Sequence, residues 1–211
     1  MLQFYYSDLK YQPIDHKNVG FTGGAWDSFD PSGTRERTRY EFTSDDLVSL
    51  AFLSVPLKAL TVHDLLIRRR SEFTELLMAL KPYENVDFAM LDGVDRETFP
   101  EGWALETALR EVPSVRPPAA SMLMARKFPR LFPILDQVVV DFVFVRARSR
   151  WIALHRKLRE NDFELHKRLI RIRDAAGLDA GISPLRVFDA LAWMDGSGQS
   201  RFAPVPAGTV G

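Results

Sequence analysis

The chain contains no cysteine in 211 residues. That excludes disulfides, thiolate metal sites and a cysteine-held iron–sulfur cluster, and with them the disulfide-stapled secreted domains. It has no apolar run of about 18 residues, so no transmembrane helix and no membrane partner are expected. The first residues, MLQFYYSDLK, lack both a basic n-region and an apolar h-region, so they do not read as a signal peptide. A cytoplasmic protein is the simplest reading of these absences. Histidine is scarce at four residues. His63 stands alone, and His155 and His166 lie on separate segments with no third ligand in register, so no metal site is expected. Asp87, Asp92 and Asp95 lack the D-x-D-x-D-G spacing and terminal glutamate of a calcium loop. No cofactor is expected.

Net charge is also absent, since 28 Lys and Arg balance 28 Asp and Glu. The balance is uneven along the chain. Residues 1–120 carry 13 basic and 19 acidic side chains, and residues 121–211 carry 15 and 9, giving −6 and +6. Between Arg146 and Arg173 there are 10 basic and 3 acidic residues. Two readings stay open: solvated helix faces, or a side that meets nucleic acid.

At 46% hydrophobic residues the chain is long enough for one globular domain with a sizeable core. Its periodicities are helical. Phe4-Tyr5-Tyr6 reads as a short extended segment, and Gly20, Gly23 and Gly24 as turns. Thr43 caps a first helix with acids in its first turn, and Pro56 ends it. Thr61 to Arg69 and Ser71 to Leu80 follow as helices, then a loop from Pro82 to Pro100 and a helix from Glu101 to Glu111. Trp151, Leu154 and Leu158 form one apolar stripe, and Leu165, Leu169, Ile172 and Ala176 another. Asn161-Asp162 separates them, and Gly177 closes the second. Ser183 caps a last helix that starts at Pro184. The expected organisation is an N-terminal arm over residues 1–40, irregular or extended and packed on the domain, a helical domain over 41–196, and a disordered tail over 197–211.

The stretch from Val112 to Val143 organises the rest. Pro113 ends one helix, and Pro117 and Pro118 suit the first turn of the next, where a missing N–H costs nothing. Ala119 to Lys127 is rich in helix formers, with Arg126 and Lys127 in the last turn against the negative end of the dipole. Phe128 to Leu135 holds two prolines and reads as a connection. Asp136 precedes the apolar run Val138 to Val145 as an N-cap; this run reads as helix rather than buried strand because charge recurs at Asp141, Arg146 and Arg148.

Written out, Val112-Pro113-Ser114-Val115-Arg116-Pro117-Pro118-Ala119-Ala120, then a helix, then Phe132-Pro133-Ile134-Leu135-Asp136, resembles the helix–hairpin–helix base-excision DNA glycosylase superfamily. The resemblance implies an all-α, helix–hairpin–helix glycosylase-like domain in which Asp136 stands at the catalytic carboxylate. Ser114 and Arg116 replace both hairpin glycines, and Pro118 stands where some members carry a nucleophilic lysine. Pro117 and Pro118 offer no N–H to a phosphate.

A second resemblance covers more of the chain. FTGGAWDSF (Phe21 to Phe29), FTSDDLVSLAFLSV (Phe42 to Val55), MARKFPRLFPILDQVV and ISPLRVFDALAWM (Ile182 to Met194) are together similar to an actinobacterial family of small uncharacterised proteins. That implies a fold and no known activity.

Two functions follow. The first is a non-catalytic nucleic-acid or protein-binding module. DNA would then be held through the basic C-terminal half, with Ser114, Arg116, Arg126, Lys127, Arg156, Lys157, Lys167 and Arg168 as contacts, or an unidentified protein would be bound. The alternative is a monofunctional base-excision glycosylase in which Asp136 stabilises charge on the sugar or activates water, and Trp26 or Trp103 stacks on the flipped base.

Overall fold

The structure is a computed structural model that describes residues 1–7, 10–12, 17–19, 21–145 and 147–202. Its elements are α1 (Leu2–Tyr5), β1 (Lys10–Gln12), β2 (Lys17–Val19), α2 (Thr22–Ser28), α3 (Ser44–Ser49), α4 (Ala59–His63), α5 (Arg70–Ala79), α6 (Pro100–Glu111), α7 (Pro117–Lys127), α8 (Gln137–Val143), α9 (Arg150–Ala175) and α10 (Pro184–Gly196). The domain is helical, as expected. Among the described residues the only strands are β1 and β2, which pair antiparallel with Lys10 opposite Val19. Segments of three residues are too short to show the alternation that marks a strand in sequence.

The centre is α7. Every residue from Ala119 to Lys127 on it is buried. A helix enclosed on all sides needs no polar face, which is why this stretch reads as unbroken small and apolar residues before its terminal Arg-Lys. Helices α6 and α3 pack on α7, while α8 and α9 pack on α10. One continuous apolar core joins them, with Trp26, Phe73, Phe88, Phe99 and Phe132 fully enclosed. Truncating a core residue such as Leu123 to Ala is in the range of about 2–5 kcal/mol.

The sequence-level caps are in place. Thr43 and Asp46 form a reciprocal capping box on α3. Asp136 caps α8 through the Val139 N–H, and Ser183 caps α10 through the Arg186 N–H. Helix α9 breaks where Asn161-Asp162 indicated. Asn161, Asp162 and Phe163 all take left-handed conformations, with φ of 51°, 56° and 61°, so its two arms point differently.

Several expectations need correction. Phe4-Tyr5-Tyr6 is not extended: Phe4 and Tyr5 lie in helix α1, with Tyr6 as its C-cap. Gly23 and Gly24 lie inside helix α2 rather than in a turn, and they serve close packing. A Cβ on Gly23 would sit 1.9 Å from the Tyr5 hydroxyl, and one on Gly24 would sit 2.9 Å from the Tyr5 carbonyl oxygen. Thr61 does not open its helix. It is enclosed within α4 and donates to the Pro113 carbonyl at 2.6 Å, tying α4 to the α6–α7 connection. Helix α4 then widens into a π turn over Asp64–Arg68. The loop before α6 contains two 3-10 turns, Lys81–Tyr83 and Phe88–Met90. Gln199–Phe202 forms a further 3-10 turn, and residues 203–211 of the expected tail lie outside the described residues, as do Gly20 and Arg146.

Candidate functional site

Helix α2 is the piece around which the charged interior is built. Two buried arginines grip it beside Trp26, with guanidinium carbons 5.3 Å (Arg186) and 5.8 Å (Arg126) from the indole ring. Arg186 Nη2 donates to the Gly23 carbonyl at 2.8 Å and to the Tyr5 hydroxyl at 2.8 Å, and its Nε donates to Asp27 at 2.9 Å. Its Nη1 pairs with Asp189, one turn further along α10. Arg126 Nη1 donates to the Trp26 carbonyl at 2.7 Å and its Nη2 to the Phe29 carbonyl. Arg35 Nη1 donates to the Asp27 carbonyl at 2.6 Å. The exposed carbonyls at the C-terminal end of a seven-residue helix are thus satisfied by guanidinium groups, which also suit its dipole.

The two arginines have different charge surroundings. Around Arg186 one guanidinium faces Asp27 and Asp189, with Asp136 close enough to add its field. Burial, and more carboxylates than cations, push Asp189 up to about 7, even though Arg186 bonds it directly. Burial pushes the Tyr5 hydroxyl up to about 12 and raises Tyr6 further; Tyr6 donates to Asp27 at 2.9 Å. Around Arg126 the balance is positive. Asp46 accepts from Lys127 Nζ at 2.5 Å and from Arg126 Nε at 3.3 Å, and all three side chains are at most 2% exposed. Arg35 adds a third cation, donating to the Arg126 carbonyl at 3.3 Å. Burial lowers Lys127, and burial together with the Arg126 charge lowers Arg35.

A cavity of about 560 Å³ opens beside Arg35, Arg126 and Asp27. Its wall carries the cations Arg35, Arg39, Arg126 and Lys127 together with the carboxylates of Asp27, Glu36 and Asp179, and Tyr6, Ser28 and residues of the Leu178–Ser183 connection complete it. Arg39 pairs with Glu36 and Glu84. The backbone N–H of Arg35 donates to Asp30 at 3.3 Å, while its guanidinium donates to two carbonyls and, among the described residues, to no carboxylate. The rest of its five N–H donors have no protein partner among the described residues.

The sequence-predicted site residues are dispersed. Ser114 and Arg116 are exposed on the α6–α7 connection. Ser114 has φ 69°, so it keeps a left-handed conformation where the resemblance has glycine. Arg126 and Lys127 are buried beneath the cavity instead of facing a surface. Arg156, Lys157, Lys167 and Arg168 are exposed on α9. Lys157 pairs with Glu160 and Lys167 with Asp162, while Arg156 and Arg168 form no salt bridge among the described residues. Asp136 is half-buried and its carboxylate accepts from the Val139 N–H at 2.7 Å; burial raises its pKa. Trp26 is enclosed, and Trp103 is half-buried with its indole N–H on the Val94 carbonyl at 3.0 Å. His155 meets the Leu91 carbonyl at 3.0 Å and His166 lies 3.6 Å from Asp87. Among the described residues no helix is long and apolar enough to cross a membrane.

Arg35, Arg186 and Asp189 were not among the residues singled out from sequence. Arg186 and Asp189 had a legible signal: they are the only charges within the apolar run PLRVFDALAWM, three residues apart, as a buried pair on one helix face would be.

The chain belongs to the family described as "Family of unknown function (DUF6308)", whose profile matches residues 1–196. No curated protein and no solved structure matches it.

Proposed function

We propose that the domain is a non-catalytic binding module, and that its ligand is a small molecule carrying a phosphate or carboxylate group held at the Arg35 cavity. One observation carries this reading: a half-buried guanidinium on the cavity wall with no carboxylate partner, above two buried cations that share Asp46 alone. An incoming anion relieves what disfavours the Arg35 charge, because it supplies acceptors for the idle N–H groups and offsets the Arg126 charge. Charge-assisted bonds of this kind contribute about 1.5–3 kcal/mol each. The water-poor wall strengthens the field of Arg126 and Lys127 at the site.

The test is thermal unfolding in inorganic phosphate, nucleoside monophosphates and citrate, each matched in ionic strength with sodium chloride. A ligand at one hundred times its Kd stabilises by about 2.7 kcal/mol, which for a chain of this size raises Tm by about 5–11 °C. Arg35→Gln keeps a donor for the carbonyls and should abolish the response. A flat response of the wild type to every anion refutes the proposal, and so does a response that Arg35→Gln retains.

A second reading, DNA contact through the α6–α7 connection, is favoured by the left-handed Ser114 with exposed Arg116 beside it. Duplex binding would then fall steeply with salt, and Arg116→Ala would flatten the slope by about one unit. Glycosylase chemistry at Asp136 is separable from its cap. Asn caps nearly as well as Asp, so base release from damaged duplexes that Asp136→Asn abolishes without unfolding would establish catalysis.

A further inference from the structure

Outside that cavity, exposed apolar side chains are densest along one stretch of chain, and two of them, Val143 and Ile152, line one groove. Ten large hydrophobic side chains are exposed among the described residues, and four of them, Phe142, Val143, Val145 and Ile152, fall within eleven residues of chain. Clustering of this kind marks an interaction surface, whereas scattered single residues do not. It borders a groove of about 750 Å³ between the end of α8 and the first arm of α9. Val143, Ile152 and Leu165 line it, with Phe188 from α10. The groove is a product of the α9 break: the run of left-handed residues from Asn161 to Phe163 redirects the second arm, which supplies Leu165. Three consecutive non-glycine residues in that region are costly.

The charges on its wall are Arg148, Arg156 and Lys157 against Glu160, an excess of cations. A second copy meeting this face with the same face would bring two such cationic rims together, so that pairing is electrostatically disfavoured. A nucleic acid would use the cations and leave the apolar lining without a partner. A segment with an apolar face and acidic flanks satisfies both. The first arm of α9 from Arg150 to Glu160 is about 16 Å long, room for roughly three turns of a docked helix.

We propose that this groove docks an acidic amphipathic helix of a partner protein, its apolar face on Val143, Ile152, Leu165 and Phe188 and its carboxylates on Arg148, Arg156 and Lys157. The probe is a fluorescein-labelled peptide of about five turns, with leucines at i, i+3, i+4 and i+7 and glutamates flanking them, titrated with the full chain and read by anisotropy. Saturable binding is expected, tighter than to a scrambled peptide. Ile152→Glu should weaken it by about tenfold or more. Arg156→Glu should weaken it too, and a peptide with lysine in place of glutamate should recover affinity for that variant alone. Both substituted positions are exposed, so unchanged Tm and circular dichroism certify the variants. Equal binding of the scrambled peptide, or binding indifferent to Ile152→Glu, overturns the proposal. So does a dimer in light scattering that Ile152→Glu abolishes, or binding to phosphatidylserine–phosphatidylcholine vesicles without peptide binding.

Discussion

Asp46 is the residue whose removal most directly tests the charged interior. Its carboxylate accepts from Lys127 and Arg126, and also from the Thr43 N–H and hydroxyl, both at 2.9 Å. Asp46→Asn conserves shape and leaves one oxygen for the Thr43 N–H, so the capping box survives in part. What it removes is the only carboxylate that Arg126 and Lys127 share among the described residues. Breaking a buried pair from one side costs about 3–5 kcal/mol, because the remaining charge is left enclosed and uncompensated. At about 2–4 °C per kcal/mol for a chain of this length, Tm should fall by about 6–20 °C. Urea unfolding monitored by tryptophan fluorescence gives the free energy, and an unchanged m-value certifies that the same surface is exposed. Lys127→Met removes one of the orphaned cations. The double variant should therefore lose less than the two single losses combined, with a coupling of about 0.5–3 kcal/mol. Added phosphate should stabilise Asp46→Asn more than the wild type, since the anion would replace the missing charge. An Asp46→Asn loss below about 1 kcal/mol would refute the reasoning, because that is the size of a surface ion pair.

Asp189 yields a pH dependence of definite sign. Its folded pKa, about 7, lies above the ordinary 3.8, so the folded state binds its proton more tightly and the stability it contributes is present below the unfolded value and lost as pH rises through about 7. Asp189→Asn should flatten the fall in stability between about pH 4 and 7, measured by urea midpoints at stepped pH; a slope identical to wild type would show that the proton is not held there. Gly23→Ala should destabilise by about 1–3 kcal/mol through overpacking against the Tyr5 ring, with the Tm reading it. A neutral result would show that α1 is free to move off α2.

Much of the fold was legible because helix signals are local. Thr43, Asp136 and Ser183 cap as side-chain oxygens placed before apolar runs do, prolines sit at N1 of α6, α7 and α10, and Asn161-Asp162 breaks α9. The errors came where tertiary packing overrides a local rule. Gly23 and Gly24 read as turn formers, but their missing Cβ atoms are needed for the approach of Tyr5 to a helix. Thr61 reads as the start of a helix, but it lies inside α4 and its hydroxyl donates to Pro113, 52 residues away. The cavity was illegible for a related reason. Arg126 and Lys127 look like surface charges at a helix end, and their partner Asp46 lies 80 residues earlier inside a capping box. Only their flanks, MLMA before and a buried Phe128 after, hint that no solvent reaches them. The four stretches that carried the second resemblance nevertheless converge on the charged interior around α2. FTGGAWDSF supplies α2, FTSDDL supplies Asp46, MARK supplies Arg126 and Lys127, and ISPLR supplies Ser183 and Arg186.

Buried ion clusters are a poor means of stabilising a fold, since well-packed apolar residues of the same volume do as well or better. Two clusters on one short helix therefore need separate explanations, and the degree of satisfaction distinguishes them. Arg186 has a hydroxyl, a carbonyl and two carboxylates as partners, so its hydrogen-bonding demand is met from within the fold. That arrangement fixes where α1, α2 and α10 meet, a specificity role open to test by apolar replacement of Arg186, Asp27 and Asp189 together. Arg35 is different. It sits beside two other cations, its guanidinium donates only to carbonyls among the described residues, and it borders open volume. A fold that needed only to seal α2 would satisfy that guanidinium with a carboxylate, as it does for Arg186. Arg35 keeps guanidinium donors free on a wall that also carries Asp27, Glu36 and Asp179, so under the proposed reading an incoming anion would bind at that guanidinium and not at Arg186, whose demand is already met.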